Sequence, residues 1–431
     1  MDTIGFAAIL LSLLVSAAIS RRIQGTIITL PMVYVTLGLL IGSKGLGLVT
    51  PASDSELIHL VAELTLVIVL ASDASRISAK RLLREHELPA RLLGIGLPLT
   101  MLLGTVVALV MFPRLNIWTA AILAISLAPT DASLGLAVVS NPKVPVRIRQ
   151  ALNIESGLND GIAMPFLFLA IALAVASNTF SGPLDWIMFA VRQMVLGLIA
   201  GVVVGYLGFH FIAWGNRSKW MSRAFRKAAS VAVILLAYAL AELIGGSGFI
   251  AAFCLGITAG NLKIRDDAAE DIVEFVEVEV QVLILLTFVL FGAVLLPQAL
   301  DQVDGAVVIY AIISLTLIRM VPVAISLRGT TVRPATTLFL GWFGPRGTAS
   351  IIYVFTVLES KVVAGSDLIF SAALLTVFLS VFAHGITAAP LSKRYGDTMR
   401  KFDAAKPGTA EMAHRQEPRL RAHPPARNHA Q

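Results

Sequence analysis

A single cysteine, Cys254, in 431 residues leaves no second thiol in the chain, which excludes an internal disulfide and a paired-thiol metal site. Charge is scarce as well: Asp, Glu, Lys and Arg make up 14% of the residues against 57% hydrophobic ones, with a mean hydropathy of +0.82. That balance excludes a soluble globular domain. No polar stretch between the apolar runs is long enough to fold separately, and no cofactor is expected. The N-terminus is apolar from Ile4, lacks a basic leader, and meets Arg21-Arg22 rather than a small-residue cleavage pattern. It reads as an uncleaved first span.

What is present is a succession of thirteen apolar runs: 4–20, 26–42, 57–74, 91–112, 117–140, 150–177, 186–214, 227–243, 248–261, 276–297, 305–326, 335–357 and 366–390. Runs of about 20 residues match the hydrocarbon thickness of a bilayer, so the chain reads as an all-α polytopic membrane protein with lipid as its surroundings. The formal charge of +7 does not point to nucleic acid, because the basic residues sit in alternate loops. One set of loops holds nineteen of them, the other only Lys44, Arg114 and Lys361. The positive-inside rule then predicts a multi-pass protein of the cell membrane, N-terminus outside and C-terminus cytoplasmic. Residues 1–392 form the membrane domain, and 393–431, rich in Arg, Lys, Ala, His and Pro, read as a short basic disordered cytoplasmic tail.

Two spans carry helix breakers near their middles, Ala128-Pro129-Thr130-Asp131 in the fifth and Gly344-Pro345-Arg346-Gly347 in the twelfth. An odd separation makes the two helices run in opposite directions. Six spans on either side of the seventh then form an inverted repeat whose two discontinuous helices cross near the midplane, where secondary transporters place their ion sites. Ordinary proline kinks are the simpler alternative.

The sixth span contains Asn153-Ile154-Glu155-Ser156-Gly157-Leu158-Asn159-Asp160. Charge in a membrane helix is costly and marks ion or proton pathways. At ~1.5 Å per residue, Asp160 lies roughly 15 Å and Glu155 about 8 Å from the inner end of that span, while Arg319 lies about 10 Å from the inner end of the eleventh. Equal depth predicts a structural Glu155–Arg319 ion pair. Asp160 and Arg346 fall near the midplane. A bare carboxylate there is disfavoured by desolvation, so a proton or a desolvated cation must neutralise it, one excluding the other. Asp131 and Thr130 add hard oxygen ligands, making Asp160 and Asp131 the candidate transient ligands of an alkali cation. Asp131 has a structural alternative, neutralising a half-helix start or pairing with Arg346. Ser156 and Asn159 supply more oxygens or join helices.

Asp73 closes the third span as a possible inner entrance or a partner of Arg76. Glu63 and Glu242 line an outer funnel or pair helices, and His384 is a pH sensor or a hydrogen-bonded core histidine. Gly245-Gly246-Ser247-Gly248 with His384 admits an intramembrane serine protease, but the two residues fall on opposite sides of the bilayer. A channel lacks its filter or charged ring. The chain therefore reads as a transporter rather than an enzyme.

With these residues in view, the chain resembles the NhaP/NHE-type sodium/proton antiporters of the monovalent cation:proton antiporter superfamily. The likeness rests on Ala128-Pro129-Thr130-Asp131, the run from Asn153 to Gly161, Arg319 with Pro322, and Gly344-Pro345-Arg346-Gly347. It implies a homodimer in which a six-helix core moves against a dimerisation bundle, exchanging a monovalent cation, sodium or lithium first and potassium as the alternative, for a proton. It implies that Asp160 carries the ion, lined by Thr130, Asp131 and Ser156, and that Asn159 in place of a second aspartate accompanies electroneutral one-for-one exchange. Two departures stand out: Ala132 replaces a common proline, and Leu70-Ala71-Ser72-Asp73 replaces a Leu-Phe-Glu context.

Overall fold

The structure is a computed structural model that describes residues 26–49, 56–75, 87–176, 183–262, 284–359, 365–405 and 411, with scattered positions between 5 and 22. Among the described residues there is no strand. The helices are α1 (Leu30–Ile41), α2 (Glu56–Ser75), α3 (Glu87–Met111), α4 (Ile117–Ser126), α5 (Ala132–Val139), α6 (Val146–Ala176) and α7 (Pro183–Arg217). They continue with α8 (Arg223–Leu243), α9 (Gly248–Asn261), α10 (Ile284–Leu300), α11 (Gly305–Ser326), α12 (Pro334–Trp342), α13 (Thr348–Glu359) and α14 (Ser366–Ala405). They correspond in order to spans two to thirteen, α4 with α5 and α12 with α13 being the two broken ones. Most of the first span, and the start of the tenth, lie outside the described residues.

Local chemistry sets the helix starts. Asn116 Oδ1 accepts from the Trp118 and Thr119 amides at 2.9 Å to begin α4, and Asp304 Oδ1 accepts from Val307 N at 2.8 Å to begin α11. Proline at the first helical positions of α1 and α12 removes an amide that has no helical partner there.

Two modes of packing divide the helices. α9 lies against α7 and α2, and α10 against α1. In the first contact Gly197, Gly201 and Gly205 of α7 face Ser247, which caps α9, and Ala251 and Leu255 of α9 so closely that a β-carbon on Gly197 or Gly201 would strike backbone. Gly256 and Gly260 of α9 do the same against Ala71 and Ser75 of α2. Small residues let membrane helices approach until dispersion alone holds them. Among the other helices, α3, α5, α6, α11, α12 and α14 share a separate apolar cluster at one end, where Leu92, Val139, Ile148, Val323, Phe339 and Tyr395 meet. The sequence places this end beside the Arg- and Lys-rich loops. The seam between the two groups passes Gly161 of α6, whose missing β-carbon makes room for the Phe253 ring of α9.

Three boundaries differ from expectation. α6 begins at Val146, so Asp160 stands at the middle of a helix of 31 residues rather than a third of the way along. α3 begins at Glu87, four residues before its expected start. The largest change is in the tail: residues 393–405, expected to be disordered, continue α14 across Pro390. Ala388, Ser392, Tyr395 and Met399 form a buried stripe at helical spacing, and the packing of that stripe outweighs the hydrogen bond lost at proline. Beyond it Glu411 is buried, and its Oε1 accepts from Arg333 N at 2.8 Å and Thr336 Oγ1 at 3.1 Å. The other tail residues lie outside the described ones.

Candidate functional site

The two helix breaks meet. α4 ends at Ser126 and α5 starts at Ala132, while α12 ends at Trp342 and α13 starts at Thr348. The unwound segments touch where Asp131 N donates to Pro345 O at 2.7 Å. Each half-helix end there exposes backbone groups without helical partners, carbonyls at the finished helix and amides at the new one. In a membrane such groups must be satisfied by protein.

The two breaks serve each other. Arg346, fully buried on the second break, donates through Nη1 to the carbonyls of Ala128 at 2.7 Å and Pro129 at 3.0 Å on the first. Asp131, on the first break, accepts through Oδ2 from the amide of Thr348 at 2.6 Å and its hydroxyl at 2.8 Å on the second. Its Oδ1 also accepts from Leu134 N at 3.3 Å, inside the first turn of α5. The carboxylate thus sits at two positive helix starts and the guanidinium at a negative helix end, the placement that the helix dipole favours. Of the two roles expected for Asp131, the geometry displays the structural one.

Beside the crossing lies a buried polar cluster. Thr130 Oγ1 is 2.9 Å from Ser156 Oγ and accepts from Asn159 Nδ2 at 2.7 Å. The amide oxygen of Asn159 is buried without a hydrogen-bond partner, an acceptor that a cation or a water would satisfy. Asp160 follows on the same helix, one turn beyond Ser156. Its carbonyl accepts from the hydroxyl of Tyr353 on α13 at 2.5 Å, tying the carbonyl to the second half of the broken span. The structure therefore brings Thr130, Ser156 and Asn159 into direct contact, with Asp160 next to them.

The expected ion pair is present. Glu155 Oε1 lies 2.6 Å from Arg319 Nη1, and both side chains are buried. Arg319 Nη2 also reaches the carbonyl of Leu340, near the end of α12, at 3.4 Å. The pair thus joins α6 and α11 to the discontinuous span.

Other candidates take structural places. Glu63 accepts from the Tyr238 hydroxyl, pairing α2 with α8, and Glu242 Oε1 accepts from Gly248 N at 2.7 Å, capping α9. Ser247 accepts from Ile250 N at 3.4 Å, the ordinary work of a helix N-cap and not of a nucleophile. His384 is buried, its Nε2 2.9 Å from Trp342 O and its Nδ1 3.1 Å from Ser380 Oγ. The side chain of Asp73, on α2, lies outside the described residues, as does Arg76.

Thr348, Tyr353 and Ser380 were missed by sequence reasoning. Thr348 had a signal, since a hydroxyl residue directly after Pro345-Arg346-Gly347 marks a helix start. Ser380, His384 and Thr387 share a helical face, a polar stripe in an otherwise apolar span. Tyr353 had no local signal.

Crossed discontinuous helices, reciprocal capping charges and a half-buried carboxylate on the adjoining helix define a membrane protein of the inverted-repeat transporter class. The family model "sodium/hydrogen exchanger, transmembrane" matches residues 9–394, and the chain belongs to that family. Among curated proteins it is 26% identical to a Na(+)/H(+) antiporter of Schizosaccharomyces pombe over 58% of this chain and 55% of the relative. It is 27% identical to the K(+)/H(+) antiporter NhaP of Alkalimonas amylolytica over 88% of this chain and 64% of the relative. The chain thus spans somewhat over half the length of these relatives. Among solved structures, the sodium proton antiporter MjNhaP1 of Methanocaldococcus jannaschii superposes with a TM-score of 0.74 at 19% identity, over 91% of this chain and 96% of that one. That likeness places the fold in the same class.

Proposed function

We propose that the chain is a secondary active antiporter that exchanges a monovalent cation for a proton by alternating access. The observation that carries this reading is the division of labour among the three carboxylates near the crossing. Glu155 is committed to Arg319 and Asp131 to two helix starts. Asp160 directly follows Asn159 on α6, and the buried hydroxyls of Thr130 and Ser156 with the amide oxygen of Asn159 form a set of oxygens suited to a small hard cation. In this reading Asp160 holds either a proton or the cation, the neighbouring oxygens replace the hydration shell, and Asp131 shapes the site without binding the ion. Both loaded forms of one carboxylate are neutral, so exchange is electroneutral, and Asn159 keeps it so by adding no charge.

Sodium or lithium is the expected cation from the resemblance. Potassium is the second reading, favoured by the 88% coverage of this chain in the match to the K(+)/H(+) antiporter of Alkalimonas amylolytica. The same proposal includes a homodimer in the cell membrane, N-terminus outside and C-terminus cytoplasmic. Within residues 1–392 the glycine-packed helices form the static bundle, and the helices around the crossing form the moving core. The test is dissipation of a preset pH gradient in everted vesicles on adding Na⁺, Li⁺ or K⁺ in turn. Wild type is expected to move protons with at least one of these ions, and Asp160→Asn with none. No cation-dependent proton movement by wild type, or full activity in Asp160→Asn, defeats the proposal.

A further inference from the structure

The sequence singled out His384, yet cation exchange at Asp160 makes no use of it. Its surroundings are specific. Three side chains on one face of α14, Ser380, His384 and Thr387, all meet the unwound segment between α12 and α13 or the residue that precedes it. Arg346 N donates to Ser380 Oγ at 2.6 Å. Trp342 O, at the end of α12, lies 2.9 Å from His384 Nε2, and Trp342 Nε1 donates to Thr387 Oγ1 at 2.9 Å. The indole and imidazole rings also lie together, their centroids 5.1 Å apart. Within α14, Ser380 Oγ is 3.1 Å from His384 Nδ1, which is also 2.9 Å from the Ser380 carbonyl. The Arg346 amide donates to the Ser380 hydroxyl, and the imidazole sits between two carbonyls, with Nε2 facing that of Trp342 and Nδ1 that of Ser380.

We infer that Ser380 and His384, supported by Thr387, are positioning residues that brace the second helix break and thereby set the geometry of the cation site. The break needs such a brace because its backbone groups have no helical partners and no lipid to pair with. Arg346 and Asp131 account for the ends that cross; Ser380 holds the Arg346 amide, and His384 joins the Gly344 amide, 2.8 Å away, at the Trp342 carbonyl. The route to the ion site is short and continuous. The peptide held by Ser380 carries Arg346, its neighbour Pro345 accepts from Asp131 N, and Asp131 adjoins Thr130, whose hydroxyl holds Ser156 and Asn159. Loosening the brace lets the Thr130 hydroxyl drift from its place in that cluster, which weakens cation binding before it unfolds the helix.

This inference rests on the exchange reading for its functional half, and its structural half is measured without transport. The variants are His384→Ala, Ser380→Ala and the conservative His384→Gln and Ser380→Thr, which keep a donor for Trp342 O and a hydroxyl for Arg346 N. In vesicles the alanine variants are expected to raise the half-saturating cation concentration about tenfold with the maximal rate changed far less, while the conservative variants stay close to wild type. A role confined to folding would instead lower the amount of protein and the maximal rate together and leave the half-saturating concentration alone. In purified protein, amide hydrogen exchange in residues 343–348 is expected to quicken about tenfold in both alanine variants. Unchanged half-saturation in folded alanine variants, or unchanged exchange protection of 343–348, overturns the inference. If neither alanine variant accumulates, Ser380→Cys and Trp342→Phe take their place under the same two criteria. Wild type that moves no protons defeats the exchange reading alone, and the hydrogen-exchange result still decides the brace.

Discussion

The helices around α9 and those around the crossing solve the same problem in opposite ways. Between α7 and α9, and between α9 and α2, glycine brings backbone against backbone, and the contact depends on shape. At the crossing, helices are interrupted, and the side chains of Asp131, Arg346, Ser380 and His384 hydrogen-bond to backbone that the interruptions expose. Lipid is as apolar as leucine, so close packing is the available way to fix a rigid helix pair. Broken backbone instead demands polar partners, and those same partners create an environment in which an ion can be held. The difference teaches that the polar residues of the crossing are first a requirement of the fold and only then a site.

That comparison can be broken at several points. The largest effect is expected from Arg319→Ala, which leaves Glu155 buried without its partner and costs ~3–5 kcal/mol. Thermal unfolding of the detergent-solubilised protein measures it. Replacing both residues, Glu155→Leu with Arg319→Met, is expected to recover most of the loss, and a double variant as unstable as the single one would contradict a paired structural role.

On the glycine side, Gly201→Leu drives a side chain into the Ala251 backbone, and a cost of about 1–3 kcal/mol or more is expected. Its signature is less folded protein, with the half-saturating cation concentration of what remains unchanged. A shift in that concentration would mean that the two groups of helices are not separable.

The smallest effect on stability is expected from Thr348→Ala. It removes one of the two donors of that residue to Asp131 Oδ2 and costs ~1 kcal/mol. Because Asp131 also holds the first break, cation affinity is expected to suffer more than the melting temperature. A lower melting temperature with cation affinity unchanged would place Thr348 with the glycine contacts.

Much of this was legible along the chain because its signals are local. Pro129 and Pro345 announce broken spans whatever surrounds them, since proline lacks the donor that a helix interior needs. Glu155 and Arg319 were paired by depth alone, since a helix rises uniformly and a buried charge requires a partner. The continuation of α14 past Pro390 was not legible, because Ala388, Ser392, Tyr395 and Met399 do not read as an apolar face until the ends of the neighbouring helices cover them. His384 was visible as a buried histidine, yet its partner Trp342 lies on another helix, and the break reaches it only through Ser380, which takes the Arg346 amide.

The sequence by itself determined the membrane class, the order of spans, the two interruptions and the presence of Asn159-Asp160 in the sixth span. Hydropathy, proline chemistry and the cost of charge in hydrocarbon act on each segment separately. Only the tertiary structure decided which group serves which. Asp131 and Thr348 are 217 residues apart in the chain, and whether a carboxylate caps a helix or binds an ion depends on what the fold sets beside it. The helix starts at Ala132 and Thr348 lie next to Asp131, and their unpaired amides engage its carboxylate.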